Sequence, residues 1–348
     1  MNYKQLFIGV IIAFAALGYT LWNVSLADLF ASFKTVKYGY IVPAIAFIVL
    51  SYLGRAWRWR ELLRPIKDVG SRELYAPLMV GFMGNILPAR AGEFLRAYLL
   101  SKKHHLTFSS AFASIVVERL FDLLMLFALF AWVFYYHAEV FETDTNVKGI
   151  AIADLATVFG RLSVGMVGFL ILFIYLMVSH REWVIRWVLR LIAPLPKKWH
   201  DKVEYLIEEF SLGLEVARQP AVLLRVALYS VVVWVAIVLS YYPFYWAFDL
   251  NDKSAGSLLV LVVAVCVLIT AVPTPAFLGS FNAGVLIALH EVMHEAEITA
   301  VSFGMVAWVV NFLVLFVLGM YFIVHEHYSV RALIEAEERG VPERGGKA

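Results

Sequence analysis

Apolar residues run along this chain in long, nearly unbroken blocks, not at the period of an amphipathic helix or strand. A membrane-crossing helix needs about 20 such residues, within a range of about 17–25. Uninterrupted blocks of that order cover Leu6–Trp22, Tyr38–Leu53, Ser109–Tyr136, Phe159–Val178, Val222–Phe248 and Ile298–Val324. Two further blocks are interrupted. Leu74–Leu100 is broken at Pro88 and Gly92, and Ser257–His290 at Pro273, Pro275 and Gly279. The pattern predicts an all-α polytopic membrane protein, with Leu6–Trp22 retained as its first helix.

Charge fixes the expected orientation, because short cytoplasmic loops carry an excess of Lys and Arg. Arg55–Lys67 (RAWRWRELLRPIK) and Arg181–Lys202 are basic, whereas Glu139–Asp154 is mostly acidic. Placing the basic segments inside puts the N-terminus inside. Leu74–Leu100 then has to enter and leave on the cytoplasmic side, as a re-entrant hairpin of two half-helices. Ser257–His290 has to do the same from the outside. The expected architecture is therefore about six full spans plus two oppositely oriented re-entrant hairpins, at about 74–100 and 257–290, related as an inverted repeat. The breaks resemble each other: Pro88-Ala89-Arg90-Ala91-Gly92 against Pro275-Ala276-Phe277-Leu278-Gly279, with three of five positions identical. Interrupted apolar segments in matching halves mark transporter binding sites. One transmembrane domain is expected over 1–325, with cytoplasmic interfacial helices at about 181–218 and a charged cytoplasmic tail over 326–348.

Composition removes whole classes. With 62% hydrophobic and 16% charged residues, the chain lies far from the roughly 45–50% and 25% of soluble domains. A net charge of +2 gives no footprint for nucleic acid. The single cysteine, Cys266, lies in an apolar run and forms no disulfide framework. Trp22, Tyr136 and Trp246 have the placement of interfacial anchors. Trp183, Trp187, Val188 and Leu191, interleaved with Arg186 and Arg190, read as an interfacial helix or one packed beneath the protein.

The chemistry is concentrated at the first break, in Asn85–Tyr98 (NILPARAGEFLRAY). A charge at the bilayer centre costs several kcal/mol, about 2.5–3.5 on insertion scales, and is usually paired and functional. The half-helix beginning near Gly92 offers unpartnered N–H groups and a dipole that favour an anion. Arg90 beside it supplies a fork of donors suited to phosphate. Glu93 lies in the first turn, and Arg96 follows at i+3 on the same face. The next helix carries Glu118, Arg119 and Asp122, spaced to one side. Arg90, Arg96 and Arg119 thus balance Glu93, Glu118 and Asp122, as a neutral network that binds substrate, clamps the fold, or does both. In the second break, Phe277 and Phe281 are suited to acyl or prenyl chains.

A competing signal is His290-Glu291-Val292-Met293-His294, an H-E-x-x-H. On a helix its histidines share a face and suit zinc, with Glu291 activating water. Its position at the predicted outer boundary favours an ordinary helix end. His104 and His105 read as loop residues. No Gly-rich nucleotide loop is present.

The series Asn85, Pro88, Arg90, Gly92, Glu93, Arg96, then Glu118, Arg119, Asp122, then Pro275 and Gly279, resembles the lysylphosphatidylglycerol synthase transmembrane-region family, a flippase-like domain. Arg58-Trp59 also fits, and the resemblance covers roughly Leu6 to Val324. It implies movement of an anionic phospholipid or polyprenyl-linked lipid between leaflets of the plasma membrane. The substrate-binding set would be Asn85, Pro88, Arg90, Gly92, Glu93, Arg96, Glu118, Arg119, Asp122, Pro275, Phe277 and Gly279. Membrane lipids are the expected partners, and no cofactor is expected. The short tail after Val324 leaves no room for an aminoacyl-transferring domain, so transport is expected rather than lipid synthesis. The alternatives are an intramembrane zinc protease on His290, Glu291 and His294, and a non-transporting membrane scaffold.

Overall fold

The computed structural model describes residues 3–85, 92–136, 146–147, 150–180, 182–183, 186–187, 190, 219–272, 274–326 and 328. Pro88, Arg90 and Pro273 lie outside this set, as do nearly all of the proposed interfacial segment and the charged tail and about half of the acidic loop.

All six uninterrupted apolar blocks form helices. α1 (Tyr3–Leu21) bends by 78° into α2 (Leu26–Thr35). Ser25 starts α2 by accepting a hydrogen bond from the Asp28 N–H at 3.1 Å. α3 spans Ile41–Leu63, α4 Ser71–Gly84, α5 Gly92–His104 and α6 Phe108–Tyr136. A two-residue antiparallel pair, β1 (Asn146–Val147) with β2 (Ile150–Ala151), precedes α7 (Ile152–Ser179). The second half contributes α8 (Pro220–Ala247), α9 (Ala255–Ala271), α10 (Ser280–Leu286) and α11 (Glu297–His325). Among the described residues, four helical segments are long and apolar enough to cross a membrane. They are Tyr38–Leu63, Pro220–Ala247, Pro275–Val292 and Glu297–His325, and the bent α1–α2 pair makes a fifth.

One boundary differs from the sequence expectation. The apolar pattern stops at Leu53, but α3 continues to Leu63 and carries Arg55, Arg58 and Arg60 with it. The reason is a partner. α3 lies antiparallel against α8, which goes on packing and bonding to it beyond Leu53. Gly54 faces Val233, Arg58 donates to the Ser230 hydroxyl at 3.2 Å, and Arg225 meets Glu61 at 2.7 Å. At the other end Lys37 bridges to Asp249 at 3.2 Å. Lys37 and Lys253 together hold the exposed Asp249 carboxyl below its ordinary value, chiefly by hydrogen bonding. Only the outer part of the basic segment, with Arg60 and Arg64 about half-exposed, is left to act as a charged boundary.

Both interrupted blocks fold as two helices lying side by side. In the first, Gly81 and Gly84 of α4 face Arg96 and Gly92 of α5. In the second, Gly284 of α10 lies against Val265 of α9, and Val292 packs with Val260 and Val263. Each pair anchors its own apolar core. Trp59, Leu62, Leu78, Leu100, Ile115 and Val226 pack around the first. Tyr241, Phe244, Val262, Phe281, Leu289 and Phe303 pack around the second.

The second break is backbone-strained. Ala276 and Phe277 have φ of 51° and 58°, in a region that L-residues rarely adopt. Trp308 holds the turn by donating its indole N–H to the Ala276 carbonyl at 2.9 Å. Gly279 follows at φ 85°, and a Cβ there would come within 2.6 Å of the Ala13 carbonyl. α1 therefore lies directly across this turn, and glycine permits the approach.

Candidate functional site

Six charged side chains from three helices meet beside the first break. Glu118 of α6 is fully buried and stands at the centre. Arg96 of α5 reaches it with both guanidinium ends, at 3.1 and 2.7 Å, the paired geometry arginine makes best. Arg58 of α3, also fully buried, lies 3.0 Å from Glu118 and 2.7 Å from Asp122. Arg119 contacts Glu118 at 3.2 Å, Asp122 at 3.1 Å and Glu93 at 3.6 Å. Three arginines thus face three carboxylates, and the group is formally neutral.

Aromatic groups complete the surroundings. The Arg96 guanidinium lies 3.6 Å from the centre of the Trp59 ring. Trp59 is held in turn by its indole N–H donating to the Ser114 hydroxyl at 2.9 Å. Trp234 of α8 donates to Asp122 at 3.4 Å. Trp59→Phe keeps most of the stacking surface and removes one hydrogen bond. It is expected to cost more than about 1 kcal/mol, because the smaller ring also leaves a cavity at a fully buried position, read as a fall in the detergent melting temperature.

Of the residues singled out in the sequence, Glu93, Arg96, Glu118, Arg119 and Asp122 come together. Asn85 and Gly92 adjoin them at the facing ends of α4 and α5, where a Cβ on Gly92 would lie 2.5 Å from the Asn85 side-chain oxygen. Pro88 and Arg90 are outside the described residues. Pro275, Phe277 and Gly279 sit elsewhere, against α1 and α11. Arg58 takes the third cationic place in this network. The signal for it was present in the sequence: Arg55, Arg58 and Leu62 recur at helical spacing beyond Leu53. A basic cluster after an apolar block reads as a loop until its acidic partners are known.

The H-E-x-x-H residues do not share an α-helical face. Ile287–Val292 is π-helical, and His294 lies beyond it at φ 56°. The His290 ring nitrogen Nδ1 is engaged with the Glu295 carbonyl at 2.8 Å. Glu295 itself receives the Asn251 backbone N–H at 2.7 Å and its side-chain amide at 2.8 Å. Among the described residues, no three His, Cys, Asp or Glu side chains are grouped to hold a metal ion.

The chain is 23% identical over 300 residues to a UPF0104 membrane protein of Methanothermobacter thermautotrophicus, covering 81% of this chain and 83% of that protein. A shorter stretch of 94 residues is 37% identical to the glycosyltransferase AglD of Haloferax volcanii. That match takes in 26% of this chain and spans only 15% of the length of AglD. The family model for the lysylphosphatidylglycerol synthase TM region matches residues 6–327. With its charged network, two broken helix pairs and apolar helices long enough to cross a bilayer, this chain is a membrane protein belonging to the lysylphosphatidylglycerol synthase TM region family.

Proposed function

We propose that the protein is a lipid translocase of the plasma membrane, moving an anionic phospholipid or a polyprenyl-linked lipid between leaflets. The observation that carries this reading is the neutral network of Arg58, Arg96 and Arg119 with Glu93, Glu118 and Asp122, buried at Arg58, Arg96 and Glu118 and partly exposed at Arg119 and Glu93. Taking ions out of water costs several kcal/mol each, and apolar residues of similar volume often stabilise a fold as well or better. Retaining buried ions that run out to a partly exposed edge next to a helix break suits a polar path through an apolar protein.

The two broken pairs act as re-entrant hairpins of opposite orientation. Each half then reads as one long helix (α3 or α8), one broken pair (α4–α5 or α9–α10) and a second long helix (α6 or α11). The antiparallel contact of α3 with α8 supports an inverted repeat. Both termini lie in the cytoplasm, and residues 1–325 form a single transmembrane domain. Arg90 and the N-terminus of α5 hold the lipid phosphate. Asn85, Pro88, Gly92, Glu93, Arg96, Glu118, Arg119 and Asp122 shape and balance that site. Pro275, Phe277 and Gly279 form the apolar part of the path, with Phe277 facing lipid chains.

The test uses vesicles of phosphatidylglycerol and phosphatidylcholine carrying the reconstituted protein and a fluorescent phosphatidylglycerol. Arg90→Ala is expected to abolish quenching of the inner-leaflet probe while the protein keeps its wild-type melting temperature. Unchanged transport would remove Arg90 from the site.

A further inference from the structure

We propose that Arg55 is an anion-binding residue whose ligand is a phosphate group, taken up one helical turn from the charged network. Arg58, Arg96 and Arg119 each have at least one carboxylate within ion-pair distance. Arg55 has none. Among the described residues it makes neither an ion pair nor a hydrogen bond, and its Nε is buried without an acceptor. Counting it with the six paired groups gives four arginines against three carboxylates, a surplus of one positive charge. Arg55 is only partly covered, with its Nε buried; a cation drawn partly out of water without a partner is still costly, and an arginine cannot relieve that cost by losing its proton. The surplus calls for an anion from outside the chain.

The surroundings fit such a ligand. The Arg55 guanidinium carbon lies 5.1 Å from the centre of the Phe82 ring, and Phe82 lies 5.6 Å from the Tyr52 ring. These aromatic faces orient the fork, and its buried Nε–H has no acceptor. Phe82 belongs to the last turn of α4, immediately before the break. Arg55 thus stands at the end of the broken pair with its side chain only partly covered. Planar guanidinium matches phosphate with two parallel hydrogen bonds. A phosphodiester with one negative charge would restore neutrality. This assignment deepens the translocase reading, and rests on it only for the source of the phosphate.

The experiment titrates delipidated protein in mild detergent with phosphatidylglycerol, with diacylglycerol (the same chains without phosphate) and with inorganic phosphate. Binding is followed by native mass spectrometry and by the melting temperature. Wild type is expected to bind phosphatidylglycerol and not diacylglycerol. Arg55→Gln should weaken phosphatidylglycerol binding at least about tenfold, as expected for loss of a charged hydrogen-bonding group. Its lipid-free melting temperature should stay level or rise, because an uncompensated charge has been removed. Equal lipid affinity in the variant would overturn the proposal. So would diacylglycerol binding as well as phosphatidylglycerol, or a variant that fails to fold, since either would make Arg55 a structural group. Binding of inorganic phosphate without lipid, lost in Arg55→Gln, would keep the anion site and overturn the lipid reading. Intact, Arg55-dependent lipid binding with no transport in vesicles would likewise support the site and overturn the translocase.

Discussion

Glu118→Ala is expected to lower stability by about 3–5 kcal/mol, the loss measured when one partner of a buried ion pair is removed. Glu118 is the shared acceptor for Arg58, Arg96 and Arg119. Its truncation leaves Arg96 without a carboxylate and Arg58 with only Asp122. Native domains hold about 5–15 kcal/mol in total, so most of the variant should be lost as aggregate on solubilisation. Size-exclusion profiles and melting curves in detergent measure this. Glu118→Gln, which keeps the shape and part of the hydrogen bonding, should fall between variant and wild type. The pair Glu118→Leu with Arg96→Met removes an anion and a cation together. It should cost less than Glu118→Ala alone, because no extra orphan charge is left. A Glu118→Ala protein melting with wild type would show that the network is wet and contributes nothing to the fold.

Gly92→Ala should disable transport and also destabilise the protein. A Cβ at this position would overlap the Gly81 carbonyl oxygen and lie 2.9 Å from the Asn85 backbone nitrogen. Both obstacles are backbone, so no side chain can rotate away. α4 and α5 would have to separate, at a cost of about 1–3 kcal/mol for an overpacked interface. Glu93 and Arg96, on the first turns of α5, would move away from Arg119 and Glu118 with them. Vesicle transport and the melting temperature report the two effects separately. Gly165→Ala on α7 is the matched control, since nothing lies within 4 Å of its added Cβ. That change should leave transport intact and add up to about 1 kcal/mol from helix propensity. Equal behaviour of the two variants would show that the α4–α5 contact is not needed for activity.

Much of this arrangement can be read from the amino acids because a bilayer imposes simple demands. Length and apolarity locate α6, α7, α8 and α11, and the Pro/Gly interruptions locate both broken pairs. The i, i+3 and i, i+4 spacing of Glu118, Arg119 and Asp122 places them on one side of α6, where the structure has them. What escaped is whatever depends on a distant partner. Arg58 looks like the edge of a cytoplasmic loop, because nothing local announces Asp122, 64 residues later, as its counterion. The bend between α1 and α2 is set by packing, with Leu29 buried in the core of the second half. The π-helical turn at Ile287–Val292 likewise reflects tertiary fit, which a four-residue spacing cannot foresee.

The sequence separation within the network bears on how the protein is made. Arg58 enters the nascent chain 60 residues before Glu118. At synthesis rates of about 5–20 residues per second, α3 waits about 3–12 s for that counter-charge. Through that interval a helix bearing three arginines cannot be released into lipid at low cost. α3 must remain at the insertion machinery, or at the water boundary, until α6 emerges. Membrane integration of α3 is therefore post-dated to the synthesis of α6, and a ribosome stalled between the two would leave α3 uninserted.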